Sequence, residues 1–537
     1  MLNFRRKKSA ESEVAAQQEA EAVTVAVDAP RQPFRKAIVP VIACGAGLFS
    51  DGYINNVIGS VTTVLALQYG DLYTDSNAKK YVGDIAFAGT VVGQLAFGWL
   101  ADHWSRTNSL LVSTIILLVF TALAAGSYYK GDAVGMFNML AAWRFFVGIG
   151  IGGEYPAGSV GAAESTGEIK SGSRNMWFIM FTNTMIDWGF VIGAFVPYVV
   201  AAACHNGHYS TVWRTSLGIG VVFPMFLFAL RLFVKEPEAS TKNSMRYAKT
   251  PYLLSLKMYG WRLFVVSLIW FIYDFSAYSF GIYSTTILTT LYKDSAPLTT
   301  VFGWNTVINL FYIPGTMLGA PASDWLGPRY ALALGVFLQA VIGFIMAGDY
   351  FNLSQPNMIG GFVVVYGVFL ALGEFGPGNN IGLLAAKTCA TGIRGEGLSP
   401  FLAMSFSSLS VVCADNVKGK YYGIAAAIGK IGAFVGTWVF PYLQAAGGDD
   451  EVASAQYPFW VSSSLCVLSA ALALFCLPHI SQDTIQIEDA RYRAYLEANG
   501  YDTSQLGMKR GDILESTPAD TSVEEPAETA KGEKTAA

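Results

Sequence analysis

Three residues with chemically useful side chains recur at every fourth position of the apolar stretch WFIYDFSAY: Trp270, Asp274 and Tyr278. This spacing places an aromatic ring, a carboxyl group and a phenol on one stripe of a helix. An aromatic stripe at helical spacing more often packs in a core, but the acid between the rings favours a binding surface. We therefore predict that these side chains line a polar site.

Two further acids interrupt apolar sequence, Asp51 in LFSDGYINN and Glu154 in GIGIGGEYPAGS. A charge deep in a bilayer costs about 2.5 to 3.5 kcal/mol, so such residues face a polar cavity or a partner. A carboxyl group withdrawn from water, or placed beside another, can exchange protons near neutral pH. We predict that both acids couple to protons. Permanent pairing with a hydroxyl group or with Arg144 is the alternative, although Arg144 lies about 15 Å along the helix from Glu154.

The opposite charge comes from Lys430, which lies between glycines in AIGKIGAF. About ten apolar or small residues on either side place its ammonium group too deep to reach the membrane surface, so substrate binding is favoured over snorkelling. An anion bound near Asp51, Glu154 and Asp274 would be repelled if all three were ionised. Binding and protonation should therefore be coupled. Asp187 in NTMIDWGF is a further candidate for proton coupling.

Composition indicates the elements that must position these side chains. Of 537 residues, 53% are hydrophobic and 14% are charged, against roughly 25% charged residues in soluble domains. Apolar stretches near the length needed to cross a bilayer must be helices, because lipid cannot satisfy exposed backbone groups. We predict an all-α membrane protein with twelve transmembrane helices, at 38–66, 84–102, 108–127, 135–163, 176–203, 214–234, 262–291, 300–322, 330–348, 358–388, 421–445 and 458–478.

The two ends of the chain are predicted to lie in solvent. Residues 1–36 form a polar tail without the features of a cleaved signal peptide, and residues 481–537 form an acidic, mostly disordered tail. Basic residues before the first span, and after the second, fourth and sixth, predict that both termini are cytosolic. The net charge of -4 argues against a nucleic-acid partner.

Motifs of other protein classes are absent from the sequence. There is no phosphate-binding Walker loop and no Ser-His-Asp arrangement, so we predict that the chain is not an enzyme. Six cysteines without paired spacing and four histidines predict neither a disulfide scaffold nor a metal site. We expect no cofactor, and a monomer.

An internal repeat divides the chain into two halves. GQLAFGWLADHWSRTNSLL and GTMLGAPASDWLGPRYALAL both end a small-residue helix with Asp followed by Arg. We predict two pseudo-symmetric six-helix bundles, 37–234 and 262–480, joined by a cytosolic linker at 235–261. Bridges of Asp102 with Arg106, or of Asp324 with Arg329, could hold one conformation closed; alternatively these residues simply face water.

The twelve-span layout, the two repeated loops and WRFFVGIGIGGEYPAGSVGAAE together resemble the major facilitator superfamily over residues 37–480. Within it, GIGIGGEYP, WFIYDFSAY and AAAIGKIGAF look like the phosphate:proton symporter branch, and most of all like fungal glycerophosphoinositol permeases. The resemblance implies two bundles that rock about a central substrate site. Its substrate-binding residues would be Tyr155, Trp270, Asp274, Tyr278, Asn379 and Lys430.

Departures from the phosphate symporters bear on the substrate. At the position of Glu154 those symporters have aspartate. At the position of Gly378 they have asparagine, whereas in this chain the asparagine, Asn379, comes one residue later in FGPGNN. Asn183 and Asp187 add further polar groups. Extra polar groups suit a larger, hydroxyl-rich ligand such as glycerophosphoinositol or glycerophosphocholine. The expectation is a proton-coupled importer in the plasma membrane, whose partners are a small anionic phosphate compound, protons and the bilayer. The alternatives are an inorganic phosphate symporter and a non-transporting nutrient receptor of the same fold.

One segment fits none of these patterns. Residues 396–419, EGLSPFLAMSFSSLSVVCADNVKG, lie where such proteins have a short connection, and removing them restores IRGKYYG. Their apolar middle is too short to span, and another crossing would reverse all that follows. We interpret the segment as a retained intron. A transcript that encodes it would leave a surface loop instead.

Overall fold

The computed structural model is almost entirely helical over the part of the chain that it describes. It describes residues 38, 41–42, 45–103, 106–166, 172–232, 252–292, 296–355, 357–388, 421–478, 480, 484–501 and 503. The side chains of Asp102 and Arg106 lie outside the described set, so the bridge predicted between them stays a prediction.

Six membrane helices form the first half. α1 is Leu48–Tyr69, α2 is Ala78–His103 and α3 is Arg106–Ala125. α4 runs as Ala133–Glu154, continues through a π-helical turn, Tyr155–Ser159, and ends as Val160–Ser165. α5 consists of Arg174–Phe181 and Asn183–Ala203, and α6 of Tyr209–Ile219 and Val222–Arg231.

The second half repeats this plan. α7 is Tyr252–Leu291, α8 consists of Leu298–Leu310 and Tyr312–Trp325, and α9 is Pro328–Gly348. α10 runs as Ile359–Gly373, through a second π-helical turn, Glu374–Gly378, to Asn379–Lys387. α11 is Tyr421–Ala445, α12 is Glu451–Cys476, and a tail helix, α13, is Thr484–Ala498.

Helix pairing shows the two-fold repeat. In the first half α1 packs on α5, α2 on α4 and α3 on α6; in the second half α7 packs on α11, α8 on α10 and α9 on α12. The halves meet where α2 contacts α11, α5 contacts α8 and α1 contacts α7. The helices at the centre of each bundle therefore pack both against helices of their own bundle and against the other bundle.

The glycines of GIGIGGEYPAGS permit a close approach between α4 and α2. A Cβ atom added at Gly148 would lie 2.0 Å from the carbonyl oxygen of Ala86, and one at Gly152 would lie 2.3 Å from that of Thr90. Small residues at such contacts let helix backbones touch, which is the main source of packing where lipid supplies no hydrophobic drive. This holds α4 in a fixed position beside the centre of the molecule.

Ten helices among the described residues are long and apolar enough to cross a membrane. The two membrane helices outside that group, α1 and α8, are rich in polar side chains that are buried inside the protein, among them Asn55, Asn56, Asn305, Asn309 and Thr316. Large apolar side chains such as Phe226 and Phe475 are exposed on the outside, as expected of a lipid-facing surface. The chain is a multi-pass membrane protein.

Two segments differ from the sequence-based expectation. α7 begins at Tyr252, within the predicted linker, and residues 484–498 of the tail predicted to be mostly disordered form α13. The reason is mutual burial, because Tyr259 of α7 packs against Tyr492 and Leu496 of α13. Residues 233–251 of the linker, the insertion at 396–419 and residues 1–37 lie outside the described residues, so the predicted domain boundaries stay predictions.

Candidate functional site

Lys430 and two acids meet at the centre of the molecule. The Lys430 Nζ lies 3.6 Å from an Asp274 carboxylate oxygen and 3.8 Å from one of Asp51. It also donates a hydrogen bond to the Tyr278 hydroxyl group. All three charged side chains are buried, so a single cation stands between two carboxyl groups from α1 and α7, which belong to different bundles.

Tyr155 completes this cluster from α4. Its hydroxyl group donates to Asp51, which also accepts from Asn55 one turn away. The Lys430 ammonium lies 5.0 Å from the centre of the Tyr155 ring and 3.7 Å from that of Tyr278, within the range of cation–π attraction. The ammonium group is thus surrounded by acids and aromatic rings, which is an environment that a bound anion could enter by displacing a carboxylate.

A cavity between the two bundles opens onto this cluster. All six residues predicted to bind substrate lie on its wall: Tyr155, Trp270, Asp274, Tyr278, Asn379 and Lys430. The helical stripe predicted on α7 therefore faces the cavity. Trp270 also meets the Tyr422 ring edge to face, with ring centres 5.7 Å apart.

A second group of residues on the cavity wall is polar and includes no cation among those that the structure describes. Asn183 of α5 donates to a Glu374 oxygen at 2.8 Å and to the Asn379 side chain at 3.0 Å. Tyr273 donates to the other Glu374 oxygen at 2.6 Å. These residues, with Tyr312, line the cavity. The amide, hydroxyl and carboxyl groups of these residues suit a hydroxyl-bearing ligand more than a second anion.

Glu154 is not part of the Lys430 cluster, although the sequence suggested comparable depth. Arg231 of α6 binds both of its carboxylate oxygens, at 2.5 and 2.7 Å, and Ser113 donates to one of them at 2.8 Å. Successive residues of a helix point about 100° apart, so Tyr155 faces Asp51 while Glu154 faces α3 and α6. Its role in proton coupling stays a prediction, which requires this ion pair to open.

Arg144 lies elsewhere again. It is buried and donates to the Gly83 carbonyl group at 3.3 Å, with Asp84 of α2 as its neighbouring opposite charge. Asp84 is buried too, and was missed because it stands at the predicted start of the second span. Asp84 also lies beside Thr437 of α11, so this acid and cation lie where α2 meets the second bundle, and neither lines the cavity.

On the side of the molecule where α13 packs, Asp324 joins the bundles. It accepts hydrogen bonds from the backbone N–H groups of Asn175 and Met176 at 3.2 and 3.0 Å, and Lys387 donates to the Asn175 side chain at 2.6 Å. The free N–H groups and positive dipole at the start of α5 explain this partner. In this conformation Arg329 donates to the Leu474 carbonyl group, so the bridge of Asp324 with Arg329 stays a prediction for another conformation.

Contacts on the other side of the cavity also join the bundles. Lys80 of α2 donates to the Tyr442 hydroxyl group of α11 at 3.1 Å, and Asn206 accepts from the backbone of Thr299 at 2.8 Å. Closer to the centre, Asn56 of α1 donates to Asn309 of α8 at 3.0 Å. The cavity therefore lies between two sets of contacts, each of which would have to break to open one side.

Comparison with known proteins identifies the family of this chain. Residues 39–241 and 236–413 match the family described as sugar (and other) transporter. The chain belongs to this family, and it has the major facilitator fold. The proton:xylose symporter XylE from E. coli, bound to 6-bromo-6-deoxy-D-glucose, has the same fold with a TM-score of 0.64 at 14% identity, covering 85% of this chain and 98% of that one.

Several curated relatives are transporters. The glycerophosphodiester transporter GIT2 of Candida albicans is 46% identical over 479 residues, 88% of this chain and 85% of that protein. The glycerophosphocholine permease GIT4 of the same organism is 47% identical over 481 residues, 88% and 84% of the two chains. The inorganic phosphate transporter PT2 of Toxoplasma gondii is 26% identical over 420 residues, 76% and 67%. These matches confirm the predicted fold, the resemblance to fungal permeases and a transporter rather than an enzyme.

Proposed function

We propose that this protein imports a glycerophosphodiester together with protons by alternating access of its two bundles to a central site. The phosphate group binds at Lys430, with Tyr155, Tyr278 and Trp270 around it. Asp51 and Asp274 take up the coupled protons. The alcohol portion of the substrate lies towards Asn183, Asn379 and Glu374.

The observation that supports this proposal is the position of Lys430 between two carboxyl groups. With both acids ionised, the three side chains carry a net charge of -1, and each carboxylate opposes an incoming phosphate by roughly 4 kcal/mol at 4 Å and an effective dielectric constant of about 20. Protonation of one or both acids removes this repulsion and frees the ammonium group. Anion and proton therefore bind favourably together, which is the thermodynamic requirement for symport.

The polar residues around Glu374 and the names of the relatives support this substrate class. Inorganic phosphate needs few partners beyond Lys430, whereas Asn183 and Asn379 provide further amide groups on the cavity wall. Relatives at 46% and 47% identity are named for glycerophosphodiester and glycerophosphocholine transport. We place the transporter in the plasma membrane, with both termini cytosolic and with α13 on the cytosolic side.

Uptake in cells that lack their own transporters tests the proposal. Labelled glycerophosphoinositol, glycerophosphocholine and inorganic phosphate would be supplied at acidic and at neutral pH. We expect uptake of at least one glycerophosphodiester, faster at acidic pH and abolished by a protonophore. Equal uptake at both pH values would overturn proton coupling.

Inorganic phosphate is the second candidate, because a phosphate transporter is 26% identical to this chain. Accumulation of phosphate without either glycerophosphodiester would establish this candidate in place of the first. A surface-expressed protein that accumulates none of the three compounds would instead favour the receptor alternative.

A further inference from the structure

We propose that Asp187 and Glu374 share one proton across the interface between the two bundles, forming a proton-binding site separate from the acids around Lys430. Asp187 lies on α5 of the first bundle, and Glu374 begins the π-helical turn of α10 in the second. The existence of this site is independent of the substrate; only its use in transport rests on the proposed function.

The two carboxyl groups are buried and adjacent. Asp187 is 0% exposed and Glu374 is 4% exposed. Asn183, one turn before Asp187 on α5, donates to a Glu374 oxygen at 2.8 Å, which brings the two acids together, and each is a charged neighbour of the other. Two ionised carboxylates cannot donate to one another, and like charges at this distance repel strongly in a buried site. A single proton between them converts the repulsion into a hydrogen bond.

Counting donors places this proton on Asp187. Both Glu374 oxygens accept hydrogen bonds, from Tyr273 and from Asn183. Neither Asp187 oxygen receives one from any residue that the structure describes, and the neighbouring Thr316 hydroxyl group donates to Asn379 instead, at 2.6 Å. A buried carboxylate without donors is very costly. As a neutral acid, Asp187 donates its proton to the Glu374 carboxylate.

Among the described residues, no cation near the pair is free to neutralise two ionised carboxylates in place of that proton. The titratable groups that face it are Tyr273 and Asp274 on α7, Tyr278 on the same helix, Tyr312 on α8 and Lys430 on α11. Lys430 is the only cation among them, and it is already engaged by Asp51 and Asp274. The phenols are neutral donors.

The pair also links proton occupancy to contact between the bundles. Asn183, one turn before Asp187, bridges Glu374 and Asn379 of α10, so the proton lies within a set of hydrogen bonds that joins α5 to α10. Loss of the proton would leave two adjacent carboxylates on opposite bundles and would drive them apart. Glu374 faces the cavity and Asp187 does not, so a substrate reaches this proton only through Glu374.

Infrared difference spectroscopy tests the proposal without any substrate. The full chain, purified in detergent at neutral pH, would be compared in H₂O and in D₂O for the C=O stretch of a protonated carboxylic acid. We expect this band to be present and to lose the intensity of one carboxylic acid group in Asp187→Asn. Asp75→Asn, which changes an exposed acid, should leave it unchanged. An Asp187→Asn spectrum identical to that of the unmodified protein would overturn the proposal.

A second variant keeps the proposal falsifiable if Asp187→Asn fails to fold. In Glu374→Gln the acceptor of the Asp187 proton changes from a carboxylate to a neutral amide, which weakens the hydrogen bond. We expect the band to remain and to shift in frequency. A band at its original frequency would overturn the proposal. Because no transport is measured, failure of the uptake experiment and failure of this one are distinguishable.

Discussion

Arg231 binds both carboxylate oxygens of Glu154 inside the first bundle, at 2.5 and 2.7 Å, with both side chains 1% exposed. Arg231 donates further hydrogen bonds to Thr114 at 2.6 Å and to the Leu110 carbonyl group at 3.2 Å. The pair therefore connects α6, α4 and α3. A buried ion pair of this kind holds helices in register, and in this conformation it holds Glu154 away from the Lys430 cluster.

Removing only the cation should be strongly destabilising. Arg231→Met leaves Glu154 buried without its charge partner, and breaking a buried ion pair in this way costs about 3–5 kcal/mol. The measurement is the midpoint of thermal unfolding of the purified protein in detergent. The double variant Glu154→Gln/Arg231→Met removes both charges and should unfold at a higher temperature than Arg231→Met. Equal midpoints for the two would contradict an interaction between these residues.

Replacing Lys430 should weaken substrate binding. Lys430→Met removes the ammonium group from the centre of the cavity. A hydrogen bond to a charged group contributes about 1.5–3 kcal/mol, so the half-saturating concentration for uptake should rise roughly 10- to 100-fold. Lys257→Met is the matched control, because Lys257 is exposed near the start of α7 and does not line the cavity. Unchanged half-saturation in Lys430→Met would exclude this residue from the anion site.

Asp324 should set the balance between conformations. Asp324→Ala removes the carboxylate that accepts two backbone hydrogen bonds from α5. These hydrogen bonds to a charged group stabilise the closed conformation by about 1.5–3 kcal/mol. Without them, the population open on the α13 side should increase roughly 10- to 100-fold relative to the closed one. Distances between spin labels on the α13-side ends of α5 and α8 would report this change. Asp349→Ala alters an exposed acid at the end of α9, and a similar distance distribution in both variants would refute the prediction.

The close contact of α4 with α2 gives a stability prediction with an internal control. Gly152→Ala forces a methyl group into the space occupied by the Thr90 carbonyl oxygen, and such overpacking costs about 1–3 kcal/mol. Gly83→Ala adds the same group to α2 at a position with no atom within 4 Å. We expect the thermal midpoint to fall in Gly152→Ala only. An equal fall of the thermal midpoint in both variants would mean that the added methyl group acts without the contact between α4 and α2.

Isolated charges in apolar sequence were the most informative signal. Asp274 and Lys430 each interrupt a long apolar stretch, and elementary electrostatics requires such groups to face a cavity or a partner. The four-residue spacing on α7 then identified which neighbours share that face. These features depend on one helix at a time, so the sequence was sufficient to predict six residues of the cavity wall, although not Tyr273, Tyr312 or Glu374.

Contacts between distant helices could not be predicted in this way. The ion pair of Glu154 with Arg231 and the pair of Asp187 with Glu374 depend on how α4 meets α6 and how α5 crosses α10. The spacing of residues along one helix carries no information on those crossings. The tail helix α13 was missed for a related reason, since its overall composition is polar and its buried apolar contact comes from Tyr492 and Leu496, one turn apart.

The two π-helical turns, Tyr155–Ser159 and Glu374–Gly378, occupy equivalent positions in the fourth helix of each half. A π-helical turn holds one more residue than an α-helical turn, and Pro156 and Pro377 each remove an N–H group that regular winding would use. Each half thus has one extra residue in its fourth helix, next to the central cavity. In the proposed rocking of the two bundles, this extra residue can be gained or lost by local rewinding, so α4 and α10 need not break.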